Sequence, residues 1–280
     1  MGKCESCASK GKCGTNEASC SALLPKYGSF KNIIAVMSGK GGVGKSTVTG
    51  ILATKLRHLG YSVGVLDGDI TGPSMPRFFG INEKRAEIIP VGEGQEVKFL
   101  PVETSTGIRV NSLNLLTEVE EQPVIWRGPV ITSVLTQMYT DTEWGDLDYL
   151  LIDMPPGTGD VALTVLQSVP VTGIVVAATP QDMVTMIVKK VVIMAQKMNK
   201  KVIGVVENMS YVKCHNCDER IRVFSKKTGA EQAEALGIPL LSELPINLDL
   251  VEKMEQGEAE AYINIIQEYN ELVDRFIELK

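Results

Sequence analysis

The stretch SGKGGVGKST, Ser38 to Thr47, satisfies the spacing G-x-x-x-x-G-K-[ST] with Gly39, Gly44, Lys45 and Ser46. Glycines at Gly39, Gly41, Gly42 and Gly44, interrupted by Lys40 and Val43, let the backbone curl until successive N–H groups point at phosphate oxygens. A helix beginning after Gly44 adds its positive end to the same anion. In such a loop Lys45 reaches the β and γ phosphates of a nucleotide, and the Ser46 hydroxyl ligates Mg²⁺. The nucleotide-binding stretch is therefore Gly39, Lys40, Gly41, Gly42, Val43, Gly44, Lys45, Ser46 and Thr47.

Three carboxylates stand where they could complete that chemistry. Asp67 and Asp69, in VLDGDITGPSMP, follow an apolar run, and Asp153 closes DYLLID before MPPGTGD. Strand ends of an open α/β sheet form the edge at which ligands bind. One aspartate at such a place is more often a helix cap than a metal ligand. Three of them beside one phosphate loop reverse that preference, and Asp153 is the candidate to hold the Mg²⁺ sphere. Gly157, Thr158, Gly159 and Asp160 then read as a flexible loop.

Cysteine supplies a second chemistry. YVKCHNCDERIRVF, Tyr211 to Phe224, holds one C-x-x-C, Cys214 and Cys217, with His215 between the thiols. A tetrahedral zinc or an iron–sulfur cluster needs four ligands, so this pair is no site, a redox dithiol, or half of something shared. Redox pairs of the thioredoxin kind start a helix, whereas the flanks here read as a small hairpin. Near the N-terminus Cys4, Cys7, Cys13 and Cys20 follow the spacing C-x2-C-x5-C-x6-C in a stretch without core residues, which points to a metal, a cluster or zinc.

The elements that must position these groups show in the hydrophobic pattern. Residues 1–30 are rich in Gly, Ser, Lys and Cys and form a tail; residues 31–280 form one P-loop domain, with the C-x-x-C segment inserted at 209–224. Buried strands are expected at 32–38, 62–67, 148–153, 173–179, 201–208 and 239–245. Helices are expected at 45–59, 131–142, 163–168, 181–198 and 225–236, with extra extended structure across 87–116. A last amphipathic helix at 260–280 puts Tyr262, Ile265, Ile266, Tyr269, Leu272, Val273 and Phe276 on one stripe. This alternation predicts an α/β fold: a mainly parallel sheet with helices on both faces.

The 280 residues, 44% apolar, are enough for a core without staples. No apolar run is long enough to span a membrane, and the first residues lack the core of a signal peptide, so a cytoplasmic location is expected. The net charge of −6 argues against nucleic acid as partner. Two histidines, His58 and His215, leave little for a histidine-built metal centre.

Lys40 inside the loop makes the form K-G-G-x-G-K-[ST], which resembles the deviant Walker A loop of the MinD, ParA and nitrogenase iron protein group. With LDGDITGPSMP, WRGP (Trp126 to Pro129), DYLLIDMPPGTGD and VVENMSYVKCHNC in order, the chain from about Lys31 onward resembles the Mrp/ApbC family of iron–sulfur cluster carrier ATPases. The resemblance implies a homodimer closing over ATP, with Lys40 reaching the partner's nucleotide beside Lys45. It implies that Asp69 orients the attacking water or second-shell Mg²⁺ while Asp67 supports the switch. It further implies that Asn208, Pro245 and Asn247 lie near the base. Cys214 and Cys217 of two chains would share one bridging [4Fe-4S] cluster, with zinc as the rival occupant. The C-x2-C-x5-C part of the tail is similar to the N-terminal cluster site of the eukaryotic scaffolds, except that Cys20 lies downstream where theirs lies upstream.

The expected function is a slow ATPase that loads or hands a cluster to apo-proteins alongside cluster assembly factors. Two rivals remain: a positioning ATPase on membrane or DNA, and a metabolic NTPase with interfacial zinc. Against an anionic membrane, the terminal helix sets Glu260, Glu268, Glu271, Asp274 and Glu278 against Arg275 and Lys280.

Overall fold

In the computed structural model, residues 22–70, 72–92, 96–117, 128–183, 186–214, 216–217 and 219–280 are described. The expected tail site at Cys4, Cys7, Cys13 and Cys20, together with Trp126 and His215, lies outside them.

The chain opens with β1 (Tyr27–Ser38), α1 (Lys45–His58), β2 (Val63–Asp67) and the one-turn α2 (Met75–Phe78). Within 87–116 come β3 (Ile88–Pro90), β4 (Val97–Phe99), β5 (Val102–Glu103), β6 (Arg109–Asn111) and α3 (Leu113–Leu116). Then follow α4 (Gly128–Thr140), β7 (Glu143–Asp153), α5 (Asp160–Ser168), β8 (Gly173–Ala178), α6 (Pro180–Met183) and α7 (Met186–Lys197). The last part holds β9 (Val202–Lys213), β10 (Arg220–Ile221), α8 (Gly229–Leu236), β11 (Leu240–Pro245), α9 (Leu248–Glu255), α10 (Ala259–Ile265) and α11 (Glu268–Leu279).

The main sheet runs β10-β9-β8-β1-β7-β2-β6-β5, with β11 pairing β9, and β3 and β4 form a separate hairpin. β1 pairs in parallel with both β7 and β8, as β9 does with β8 and β11. Only the short β5 and β10 join it antiparallel. The expected mainly parallel sheet is thus observed. Alternate residues of β1 feed two cores: Ile34 and Val36 face α1, α10 and α11, while Ile33, Ala35 and Met37 face α4, α5 and α7. Each fully buried Leu- or Phe-sized side chain contributes roughly 1.5–3 kcal/mol, which is why central strands here are continuous apolar runs.

The structure corrects several boundaries. The domain begins before residue 31: β1 starts at Tyr27, and Leu23 N–H already donates to Ser168 O at 2.7 Å. β9 runs past Asn208 to Lys213, carrying the sheet out to the cysteines. The terminal helix expected as one piece breaks into α10 and α11 at Ile266, whose backbone is extended. The cause is Lys55 of α1, buried to 2% exposure, whose ammonium donates to Asn264 O and Ile266 O at 3.1 and 3.0 Å. A buried cation takes the carbonyls that a continuous helix would have used itself. Ile265, expected on the apolar stripe, is consequently 75% exposed.

Candidate functional site

β1 delivers the chain to Ser38, and α1 takes it up at Lys45, so the glycine-rich loop spans the interval between a central strand and a helix N-terminus. Gly44 sits at φ 78, where only glycine is at ease, and Val48 N–H donates back to its carbonyl at 3.0 Å. Ser38 Oγ donates to Lys40 O at 2.9 Å, tightening the loop's first turn.

Asp153 is the hub. It ends β7, level with Val36 of β1 and Asp67 of β2, and is fully buried. Its Oδ1 lies 2.8 Å from Lys45 Nζ and accepts from Thr49 Oγ1 at 3.0 Å; its Oδ2 accepts from Ser46 Oγ at 2.6 Å. Lys45 is itself buried, so this ion pair is sequestered and hydrogen-bonded on both oxygens. Ser46 and Asp153 converge as a divalent-cation site on this fold requires: a hydroxyl and a carboxylate oxygen within hydrogen-bond reach of each other.

Asp67, one strand over, serves a different purpose. Its Oδ2 accepts from Ser74 N, Met75 N and Ser112 Oγ at 3.1, 3.1 and 3.0 Å, which ties α2 and the segment after β6 to the sheet edge. Burial, and then the neighbouring Asp153 charge, push its carboxyl up to about 7, against the Met75 N–H and Lys45, which pull the other way. Asp69 faces the loop instead: with Ser38, Lys40, Gly41, Gly42, Val43, Gly44, Lys45, Ser46 and Pro156 it lines a cleft of about 220 Å³. Gly157 N–H donates to Ser38 O at 2.9 Å and closes one side of the same region.

Three sequence expectations look different in three dimensions. Asn208 is buried against the loop, its Nδ2 donating to Val43 O at 2.9 Å. Pro245 and Asn247 line another cavity of about 440 Å³, together with Val212, Lys213 and Cys214. The Asn247 side chain caps α9 through Leu250 N–H at 2.9 Å and meets the Tyr262 and Tyr269 hydroxyls at 3.1 Å. Thr49 was not singled out from sequence, although it stands one helical turn after Lys45, a spacing that puts both on one face.

Beyond Asn208, β9 reaches the cysteines. Lys213 pairs with Arg220 and Val212 with Ile221 across the β9–β10 hairpin, and Cys214 N–H donates to Glu219 O at 3.1 Å. This confirms the hairpin reading of the flanks. Cys214 is half-buried and Cys217 exposed, both free thiols. The backbone N–H of Asn216, then the Cys217 side chain and N–H, hold the Cys214 thiol below its usual range. N–H groups aimed at sulfur suit a metal-bound thiolate. Among the described residues no three His, Cys, Asp or Glu side chains converge on one ion, so the pair offers half a tetrahedral set.

Comparison with known proteins agrees with this geometry. The family model described as NUBPL iron-transfer P-loop NTPase, in the ParA group, matches residues 29–278. An iron-sulfur cluster carrier protein of Clostridium perfringens is 62% identical over 271 residues, 94% of this chain and 95% of that one. Its counterpart from Methanocaldococcus jannaschii is 36% identical over 99% of this chain and 96% of that one. Among solved structures, a nucleotide-binding protein in complex with ADP from Archaeoglobus fulgidus has a TM-score of 0.74 at 38% identity, covering 87% and 92% of the two chains. The Pyrococcus furiosus cell division ATPase MinD, with a TM-score of 0.59 at 20% identity over 89% and 100%, shares the fold. The parallel sheet and the loop with its Asp153 hub define a P-loop NTPase of the MinD/ParA type. Within that class the chain belongs to the NUBPL iron-transfer P-loop NTPase family, as the resemblance to the Mrp/ApbC carriers implied.

Proposed function

We propose that this protein is an ATP-hydrolysing iron–sulfur cluster carrier whose cargo is a [4Fe-4S] cluster bridging two copies of the chain through Cys214 and Cys217. The observation that carries the reading is the hairpin: two exposed or half-exposed thiols, the Cys214 thiol brought below its usual range by the Asn216 N–H and by Cys217, with no further ligand at hand among the described residues. Two such hairpins supply the four thiolates a cluster takes, and a shared site at an exposed tip is accessible to an apo-protein acceptor. The relatives named as cluster carriers support the cargo; the ADP-bound relative supports the nucleotide.

At the other end, Lys45 exchanges Asp153 for phosphate oxygens when nucleotide enters. Ser46 and Asp153 fit Mg²⁺, which would neutralise charge between the β and γ phosphates when bound. Lys40, exposed in the loop, stands where it can cross to a partner's nucleotide in a closed homodimer. Asp69 at the cleft orients the attacking water, and Gly41, Gly42 and Thr47 keep the loop's N–H groups toward the phosphates. Asn208 faces the base from the loop side, with Pro245 and Asn247 on the neighbouring cavity. Hydrolysis is slow and coupled to loading or release of the cluster. The carrier works in the cytoplasm with apo-proteins and assembly factors. The tail cysteines Cys4, Cys7, Cys13 and Cys20 hold a second cluster or zinc.

The test is iron, sulfide and zinc content of anaerobically reconstituted protein, with and without Cys214→Ala/Cys217→Ala. The double variant is expected to hold about four irons and four sulfides per dimer fewer than the parent, whatever the tail cysteines hold staying unchanged. Zinc alone under those conditions, bound by the parent and lost from the double variant, would make the hairpin structural and move the assignment to an ATPase with another client.

A further inference from the structure

β9 reaches the phosphate loop through Asn208 and runs on to the cysteine pair, and it is irregular between the two. Against β11 the register runs Glu243 with Glu207 and then Pro245 with Tyr211, so Asn208, Met209 and Ser210 stand opposite the single Leu244 and β9 bulges there by two residues. Bulges of this kind re-aim side chains beside active sites. Here the Asn208 side chain donates to Val43 O at 2.9 Å, and a Cβ on Gly44 would overlap its Nδ2. Met209 holds φ 56, a left-handed conformation that is strained for a non-glycine residue and persists only where its surroundings enforce it.

Both limbs of the hairpin are fastened to this bulge. The outgoing limb follows covalently, Tyr211 to Cys214. The return limb is clamped by Arg222, whose Nη1 donates to Ser210 Oγ at 3.1 Å and whose Nη2 donates to both Glu243 oxygens at 3.0 and 2.8 Å. Ser210 Oγ in turn donates to the buried Glu207 at 2.7 Å, closing the bulge on itself. Gln232 Nε2 donates to the other Glu207 oxygen at 2.9 Å and holds it in place.

We propose that the Asn208–Ser210 bulge transmits occupancy of the phosphate loop to the cysteine pair, with Asn208 as positioning residue on the loop, Met209 as the hinge and Arg222 as the clamp on the hairpin. Binding of phosphate moves the Val43 carbonyl, Asn208 follows it, and the strained Met209 converts that movement into a change of hairpin geometry. The proposal deepens the function above and rests on its nucleotide half alone.

The experiment is peptide-resolved alkylation of the full, cluster-free chain with iodoacetamide, with and without saturating Mg·ADP, nucleotide binding being measured separately on each variant. Trypsin releases both thiols in CHNCDER, Cys214 to Arg220, apart from the tail cysteines, which serve as reference. The parent rate at this peptide is expected to change by about fivefold or more on nucleotide binding, the lower range of site-to-site coupling. Asn208→Asp, isosteric but without the donor, should reduce that change below about twofold, as should Met209→Gly, in which φ 56 carries no strain. A parent that binds nucleotide with no change at the thiols overturns the proposal. So does full retention of the change in Met209→Gly, which decides the matter if Asn208→Asp fails to fold or to bind. A parent that binds no nucleotide overturns the proposed function as well, whereas metal content plays no part in this readout.

Discussion

The phosphate loop and the cysteine hairpin are built on opposite plans. Lys45, Ser46 and Thr49 all end on Asp153, a residue of the same chain, in a buried cluster that packing has closed. Cys217 is exposed, and the Cys214 thiol is met by the Asn216 N–H and by the side chain and N–H of Cys217. The loop is therefore part of the domain's stability, while the hairpin is an appendage whose chemistry needs something from outside. The asymmetry suits a carrier: the Asp153 hub is held by its own chain, while the thiol pair leaves half of a tetrahedral set unfilled.

The comparison breaks first, if it breaks, at the hub. Lys45→Ala leaves Asp153 buried with only hydroxyl partners, and removal of one member of a buried pair costs about 3–5 kcal/mol. Urea denaturation should show that loss, and a fluorescent nucleotide should no longer bind. Next in size is Gly44→Ala, which forces a side chain onto φ 78 and into Asn208; a loss of about 1–3 kcal/mol is expected from thermal unfolding, with weakened nucleotide binding. Thr49→Val removes a buried hydroxyl from Asp153 and should cost about 1–3 kcal/mol with the fold unchanged, read by the same denaturation.

At the hairpin the opposite holds. Cys214→Ser with Cys217→Ser should stay within about 0.5 kcal/mol of the parent and bind nucleotide equally well while losing cluster. A large stability loss there would mean the thiols are structural, and the contrast between the two regions would fail. The smallest effect sharpens the link between them. Burial raises the Glu207 carboxyl above its usual range, so its contribution is complete below the unfolded value of 4.5 and is lost as pH rises through the folded one. Glu207→Gln does not titrate, and the Tm of the variant relative to the parent should therefore climb with pH from about 4.5 upward.

Much of this was open to reading because it is local. Ten consecutive residues specify the phosphate loop, and an aspartate after four apolar residues specifies the strand end that meets it. The split of the terminal helix was not legible, because amphipathic periodicity continues through Ile266 and the interruption comes from Lys55, a residue more than two hundred positions away. Asn208 is legible as a polar group at a strand end, but its bond to Val43 spans 165 residues and depends on a bulge whose register the neighbouring strand defines. Pro245 and Asn247 follow a strand end, as a base site would, and that they line one cavity with Cys214 follows from the pairing of β11 with β9.

The sequence by itself determined the parallel α/β layering, the phosphate loop with its aspartate, and a thiol pair too small to be a complete metal site, since each follows from residue type and short-range spacing. Tertiary structure alone decided that one strand joins loop to cysteines, that Lys55 cuts the last helix in two, and that Glu207, Ser210, Arg222 and Glu243 bind the hairpin to the sheet. The partners in those hydrogen bonds are chosen by strand register and by packing of the whole domain, and they leave no periodic trace along the chain.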